Sequence, residues 1–386
     1  MTADRRTFLA TAAATAVVTG SLRSPLAQGS PLANAADTDR LRVGFIGVGN
    51  RGTSLLKNFL EAKLGDVVAI CDIKPENAKR AAGLVVGAGQ KEPAAFEDWK
   101  KLLEAKDVNV VISALPCDLH AACYLDVIAA SKDLYGEKPM CLTPADCDKV
   151  VKAANASKQI VQIGFQRRAD PRFIEPMKQI HEGEIGDLVE GRILWSNSWG
   201  PLGDWFGKRG RSGDWMVEQA CHNWDVINWA CKGLPVRAMG MGRTGLYKNF
   251  QADRDVHDYY SAIVEYENGC IVNILHSWVA PGQNGAFKKE FNDEYTRLNG
   301  TKGGIDFNSG LFSYRKELNK PDRVGFMGEA NINNTKLGLE AFAASVKSRK
   351  APVATVEFGR DAVLTCLLVR EAVYQKKPIT MKELRG

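Results

Sequence analysis

Glu218, His222 and Asp225 stand four and three residues apart, and on a helix side chains at those spacings meet on one face. An imidazole beside carboxylates takes up and gives back a proton near neutral pH, which suits a general base. A helix over 214–232 would put Trp215 and Trp229 in the same stripe, with Val217, Ala220, Cys221, Trp224, Asn228 and Cys231 on another side. The plain alternative is a solvated helix face with an incidental ion pair. Two tryptophans in the stripe weigh against it, since a solvated face rarely shows them. Gln219 is a nearby substitute for hydrogen bonding.

A second group of residues has the pattern of a nucleotide cradle. Gly47-Val48-Gly49-Asn50-Arg51-Gly52 follows an apolar run, 41–46, and precedes Leu55, Leu56, Phe59 and Leu60 at helical spacing. Gly47 permits the tight turn, Gly49 lets a pyrophosphate approach the backbone, and Gly52 lets helix and strand pack closely. Asn50 and Arg51 open a helix whose unpaired N–H groups and positive dipole end face the phosphates. Asp72 closes the next apolar strand, 67–71, twenty residues beyond Gly52, where an acid accepts from the adenosine ribose hydroxyls. A 2′-phosphate would meet that negative charge, so NAD is favoured, while Lys74 close by leaves NADP open. A helix cap before Pro75 is the plain alternative for Asp72, and capping and ribose binding can coexist.

These residues need a scaffold. Strands at 41–46, 67–71 and 108–115 alternate with helical segments, one of them 119–130, and a further short strand ends at Glu137. That order predicts a Rossmann-like, doubly wound parallel sheet, an α/β fold. Lys138 then stands at a strand's carboxyl end, where ligands bind in such sheets; a solvated loop lysine is the plain alternative. A helix capped by Thr143, a linking strand at 160–165, and then strands at 188–195, 237–242, 259–266 and 270–278 follow, with Asn268-Gly269 as a tight hairpin. They predict an α+β domain with an antiparallel sheet and helices on one face. Residues 281–297 read as a long loop. The expected domains are 36–160 and 161–386, behind a leader at 1–35.

Gly47 to Gly52, Leu115-Pro116 with His120, and Glu137-Lys138-Pro139 together resemble the Gfo/Idh/MocA oxidoreductases, the relatives of glucose–fructose oxidoreductase and inositol dehydrogenase. The resemblance runs from about Leu41 to near the C-terminus. It implies a catalytic Lys138, a Lys–Pro peptide that is often cis, Glu137 near the nicotinamide ribose, and Leu115, Pro116 and His120 lining the cofactor site. It also implies a substrate helix with an acid four residues before a histidine and often an Asp three after, matched by Glu218, His222 and Asp225. Glu stands where the polyol dehydrogenases carry Asp. The cleft at the domain junction makes Gln166 and Arg168 candidates for substrate, Arg168 through a carboxylate or hydroxyls or as a domain tether. Trp199 and Trp215 offer flat faces for a sugar ring, or ordinary packing. The resemblance also makes that sheet a large, mostly antiparallel open one, which in the family forms a dimer or tetramer contact.

The first residues read as an export signal: Asp4-Arg5-Arg6-Thr7-Phe8-Leu9, a soft apolar stretch, and Ala33-Asn34-Ala35 as a small-residue cleavage site. A twin-arginine leader delivers a folded protein outside the cytoplasm, with its cofactor aboard and no stable membrane insertion after cleavage. Little free NAD is available there, so a tightly held nicotinamide is expected. Nine cysteines, mostly in apolar stretches, agree with buried thiols. Cys117, His120 and Cys123 fit no common zinc spacing, and no metal is expected. Of 51 basic and 45 acidic residues, giving +6, the leader holds +2; scattered basic residues argue against a nucleic-acid surface. Three functions remain: a sugar or polyol oxidoreductase with bound nicotinamide, a redox-neutral glycosidase that oxidises, eliminates, hydrates and reduces, or a non-catalytic NAD- or sugar-binding protein.

Overall fold

The computed structural model describes residues 40–196, 202–279, 293–317, 320–326 and 332–386. The expected leader and Trp199 lie outside these residues.

The first half is a six-stranded parallel sheet. Its strands are β1 (Leu41–Ile46), β2 (Gly65–Cys71), β3 (Ala94–Phe96), β4 (Val110–Ser113), β5 (Asp133–Gly136) and β6 (Val161–Ile163). They lie in the order β3-β2-β1-β4-β5-β6. β4, β5 and β6 are buried at every residue, as expected of a parallel sheet covered on both faces. Helices Asn50–Glu61, Pro75–Gly87, Trp99–Leu103, His120–Ala129 and Pro144–Asn155 lie in the crossovers. β3 is a three-residue edge strand with exposed alanines, too short and too weakly apolar to be read from sequence.

The second half carries a nine-stranded sheet. It contains β7 (Leu188–Ser196), β8 (Pro235–Arg243), β9 (Tyr259–Tyr266), β10 (Ile271–Ser277), β11 (Asp293–Gly300), β12 (Gly303–Asp306), β13 (Leu311–Glu317), β14 (Lys320–Phe326) and β15 (Ile379–Thr380). Their order is β14-β13-β12-β11-β7-β10-β9-β8-β15. Only β7 and β10 pair in parallel; the other neighbours are antiparallel. The hairpin at Asn268-Gly269 is present, with Gly269 at φ +81°.

Two expectations need correction. The loop expected through residue 297 gives way to β11 at Asp293. Its inward face is only Thr296, Leu298 and Gly300, so the two-residue apolar period that marks a strand is nearly absent. The division at 160/161 falls just before β6, which completes the first sheet. Helix Asn334–Ser348 also returns to that sheet: Leu339, Phe342, Ala343 and Val346 share one buried cluster with Val43, Phe45 and Phe59. A helix's apolar stripe shows that it is covered, but not which sheet covers it.

Candidate active site

The candidate binding residues collect at one edge of the first sheet. Gly47 follows β1, Asp72 follows β2, Leu115 and Pro116 follow β4, Glu137 and Lys138 follow β5, and Gln166 to Arg168 follow β6. This is the carboxyl edge, and β1 and β4 flank the point where the strand order reverses, which is the ligand crevice of such sheets.

The glycine turn fits a dinucleotide. Gly47 holds φ +78°. A Cβ on Gly52 would fall 1.9 Å from the Gly47 carbonyl oxygen, whereas one on Gly49 would meet nothing within 4 Å. The protein therefore leaves the space beside Gly49 open. Helix Asn50–Glu61 has no side-chain cap and no acid in its first turn, so its positive end is left for an anion. Asp72 accepts from the Val48 N–H at 2.9 Å and the Lys74 N–H at 2.9 Å. It thus braces the glycine turn from the end of β2, and the remaining lone pairs of its carboxylate suit ribose hydroxyls.

Arg51 lies across the crevice. It donates to Glu137 Oε1 through Nε at 2.7 Å, with Nη2 also at 2.7 Å, and its Nη1 donates to Thr335 at 3.2 Å. His120 is buried between two carbonyl oxygens, Nδ1 2.6 Å from Pro139 and Nε2 2.9 Å from Leu115. Burial holds its pKa below 6.5, and a neutral imidazole donates to one of the two at a time. His120 thereby ties the β4 end to the Lys138-Pro139 segment, whose peptide is cis.

Lys138 Nζ donates at 2.6 Å to the Glu218 carboxylate and at 2.6 Å to the Glu218 main-chain carbonyl. Burial alone would lower its pKa, but the charge and hydrogen bond of Glu218 outweigh that and raise it above 10.5. Lys138 is a firm ammonium. His222 stands edge-on to Phe165 at 5.8 Å between ring centres. Its Nδ1 is buried without a partner among the described residues. Burial, then the positive charges of Lys138, Arg167 and Arg51, hold its pKa well below 6.5, so at neutral pH the ring is an uncharged proton acceptor.

The two carboxylates expected beside His222 have other partners. Glu218 is bound to Lys138. Asp225 is bound to Arg168, whose Nε lies 2.8 and 3.0 Å from its two oxygens, with both side chains buried. The Arg168 guanidinium is also sandwiched 3.6 Å over Phe358 and 4.7 Å from Trp229. Arg168 is therefore a tether of the linking turn and is not free for substrate, and Asp225 does not orient His222. Trp215 is 1% exposed and packed on Trp278, His276 and Tyr260, so it offers no face to a sugar. The helix expected over 214–232 is broken into a turn, Trp215–Glu218, and a helix, Cys221–Cys231. The break changes the angular positions that a continuous helix would give.

Arg167, which its residue type alone does not single out, belongs at the site. Its charge acts on His222, its Nη2 donates to Glu294 at 2.9 Å, and its Nη1 is buried without a partner among the described residues. Gln166 Oε1 is in the same condition. The available signal was place: the turn after β6 presents three polar residues in succession, and which arginine points into the core depends on a turn geometry that sequence does not reveal.

Comparison with known proteins gives concordant matches. The NAD-binding Rossmann fold of the GFO/IDH/MocA oxidoreductase family matches residues 41–165, and the GFO/IDH/MocA C-terminal domain matches 175–306. An inositol 2-dehydrogenase of Acidothermus cellulolyticus is 29% identical over 242 residues, 61% of this chain and 66% of that protein. A glycosyl hydrolase family 109 protein of Shewanella pealeana is 28% identical over 211 residues, 50% of this chain and 46% of that protein. The matches thus span about half to two thirds of these relatives' lengths. A levoglucosan dehydrogenase solved with NADH and levoglucosan shares the fold with TM-score 0.76 at 18% identity, covering 89% of this chain and 99% of that one.

Proposed function

The chain belongs to the Gfo/Idh/MocA oxidoreductases, with an NAD-binding Rossmann domain, and from that premise we propose that it oxidises a secondary hydroxyl of a sugar or polyol. The observation that carries the reading is the ion pair between Lys138, which follows β5 on the sheet edge where the glycine turn follows β1, and Glu218, four residues before His222. The Gly47–Gly52 turn, Asp72 and Glu137 would hold the dinucleotide, which when bound supplies the hydride acceptor. The neutral His222 ring takes the hydroxyl proton. The Lys138 ammonium stabilises the oxygen as negative charge develops on it, and Glu218 keeps that ammonium charged and aimed. Arg167 Nη1 and Gln166 Oε1 are free to bind further hydroxyls. Mixing the protein with NAD and a panel of aldoses, polyols and anhydrosugars tests this: reduced nicotinamide should accumulate with at least one, and no reduction with any would contradict it.

A second reading, in which hydride leaves and returns during glycoside cleavage, is favoured by the likeness to the family 109 glycosyl hydrolase. Turnover of an aryl glycoside without net nicotinamide reduction would establish it. The export reading of residues 1–35 is part of the proposal, and it requires the dinucleotide to be retained through purification. Self-association is the third part. The outer face of β8, β9 and β10 exposes Met239, Met241, Ile263, Ile271 and Leu275, with Met239 opposite Ile263 and Ser261, Glu265 and Asn273 interspersed among them, an amphipathic surface that a second copy would cover.

A further inference from the structure

The helical break beside the site has a mechanical origin. In an unbroken helix the Glu218 carbonyl would accept from the N–H of His222, four residues on. Instead the His222 N–H donates to the Gln219 carbonyl at 3.2 Å, and the Ala220 N–H reaches five residues back to Trp215 at 3.3 Å. The Glu218 carbonyl is thereby released from the helix and takes Lys138 Nζ at 2.6 Å.

The residue at the break is fixed from outside the helix. Gln219 Oε1 lies 3.0 Å from Trp278 Nε1 and 3.0 Å from His276 Nε2. An indole N–H only donates, so the amide oxygen is the atom that faces it, and His276 then carries its proton on Nε2. His276 Nδ1 in turn faces the Tyr260 hydroxyl at 3.3 Å. Trp215 lies over the His276 ring at 3.9 Å and Trp278 at 4.8 Å. Gln219, His276 and Tyr260 are all buried, where a hydrogen bond is electrostatically stronger than in water.

We infer that Gln219 is a positioning residue: its amide pins the break to β10, and the pinned break turns the Glu218 carbonyl and carboxylate onto Lys138. The inference rests on the reading of Lys138 as the ammonium of the reaction, but its geometry can be tested without turnover. Acetic anhydride acylates only the neutral amine, so the rate at which Lys138 is labelled, read by mass spectrometry of its peptide, reports how firmly Glu218 holds it. Gln219→Leu removes the acceptor, and Lys138 should label about tenfold faster for each unit by which its pKa falls. Gln219→Glu keeps an acceptor for both donors and should label no faster than wild type. Asn228→Leu is the control for general loosening, because Asn228 sits in the helix that follows the break and bonds Tyr266 and Thr365 instead; it should lower thermal stability without raising Lys138 labelling. Should Gln219→Leu be insoluble, Trp278→Phe removes one of the two donors and should give a smaller rise. Wild-type labelling in Gln219→Leu, or an equal rise in Asn228→Leu, would overturn the inference. Absence of hydride transfer by wild type with this labelling pattern intact would instead overturn the reaction.

Discussion

Replacing Gly49 and Gly52 by Ala separates binding from folding. The Gly49 backbone is ordinary, at φ −65°, and its new methyl meets nothing. Gly49→Ala should therefore keep wild-type thermal stability while losing at least about one power of ten in NADH affinity, about 1.4 kcal/mol. Gly52→Ala collides with the Gly47 carbonyl and should cost stability as well, as a paired melting and fluorescence titration would show. For His222 the sign is set by a pKa held below 6.5: the ring accepts a proton above that pKa and loses the ability as pH falls through it. The acid limb of kcat/KM should lie well below 6.5, and a limb at or above 6.5 would remove His222 as the base. The types of residue at the site were legible because glycines between a strand and a helix have few other uses, and because Glu137-Lys138-Pro139 resembles a family motif. Their pairings were not: Lys138 and Glu218 are 80 residues apart, and i, i+4 spacing allows a contact between Glu218 and His222 without requiring it.

At the scale of elements, the Arg168–Asp225 pair joins the turn after β6 to helix Cys221–Cys231, with Phe358 of helix Val356–Gln375 against the guanidinium. Removing one partner leaves the other charge buried and unpaired, which costs about 3–5 kcal/mol. Asp225→Ala should lose that much in urea unfolding, whereas a loss confined to kcat would restore a catalytic role. Apart from β3, the strands of the first sheet were legible as apolar runs. The broken helix was not, because both fragments keep helical residue types and the break is fixed by Gln219's partners His276 and Trp278 at the end of β10, distant in sequence. β11 to β14 were obscured by Gly, Asn and Lys, which mask a strand's alternation.

The whole molecule adds two expectations. Met241→Glu, on the outer face of β8 at 76% exposure, should shift the particle mass measured by light scattering to that of one chain; an unchanged mass would move the interface elsewhere. Acid stability follows from His120, His222, His257 and His276, whose pKa values burial lowers below 6.5, His257 to about 4. The unfolded chain then protonates first, so stability is fully present above about 6.5 and falls as pH drops below it; for His257 the loss continues to about 4. The melting temperature should decline steadily over that window, and a flat profile would contradict neutral burial. The two-sheet architecture was legible from the order of elements. The return of helix Asn334–Ser348 to the first sheet was not, since nothing in an amphipathic stripe names its target.

The central claim is that hydride leaves a hydroxyl held at Lys138 and His222. Rapid mixing of NAD-loaded wild type and Lys138→Ala with the most active compound of the panel measures it most directly. The variant should reduce nicotinamide about a hundredfold to a thousandfold more slowly while binding NADH as tightly as wild type. Equal rates, or a loss explained wholly by weaker NADH binding, would contradict the account.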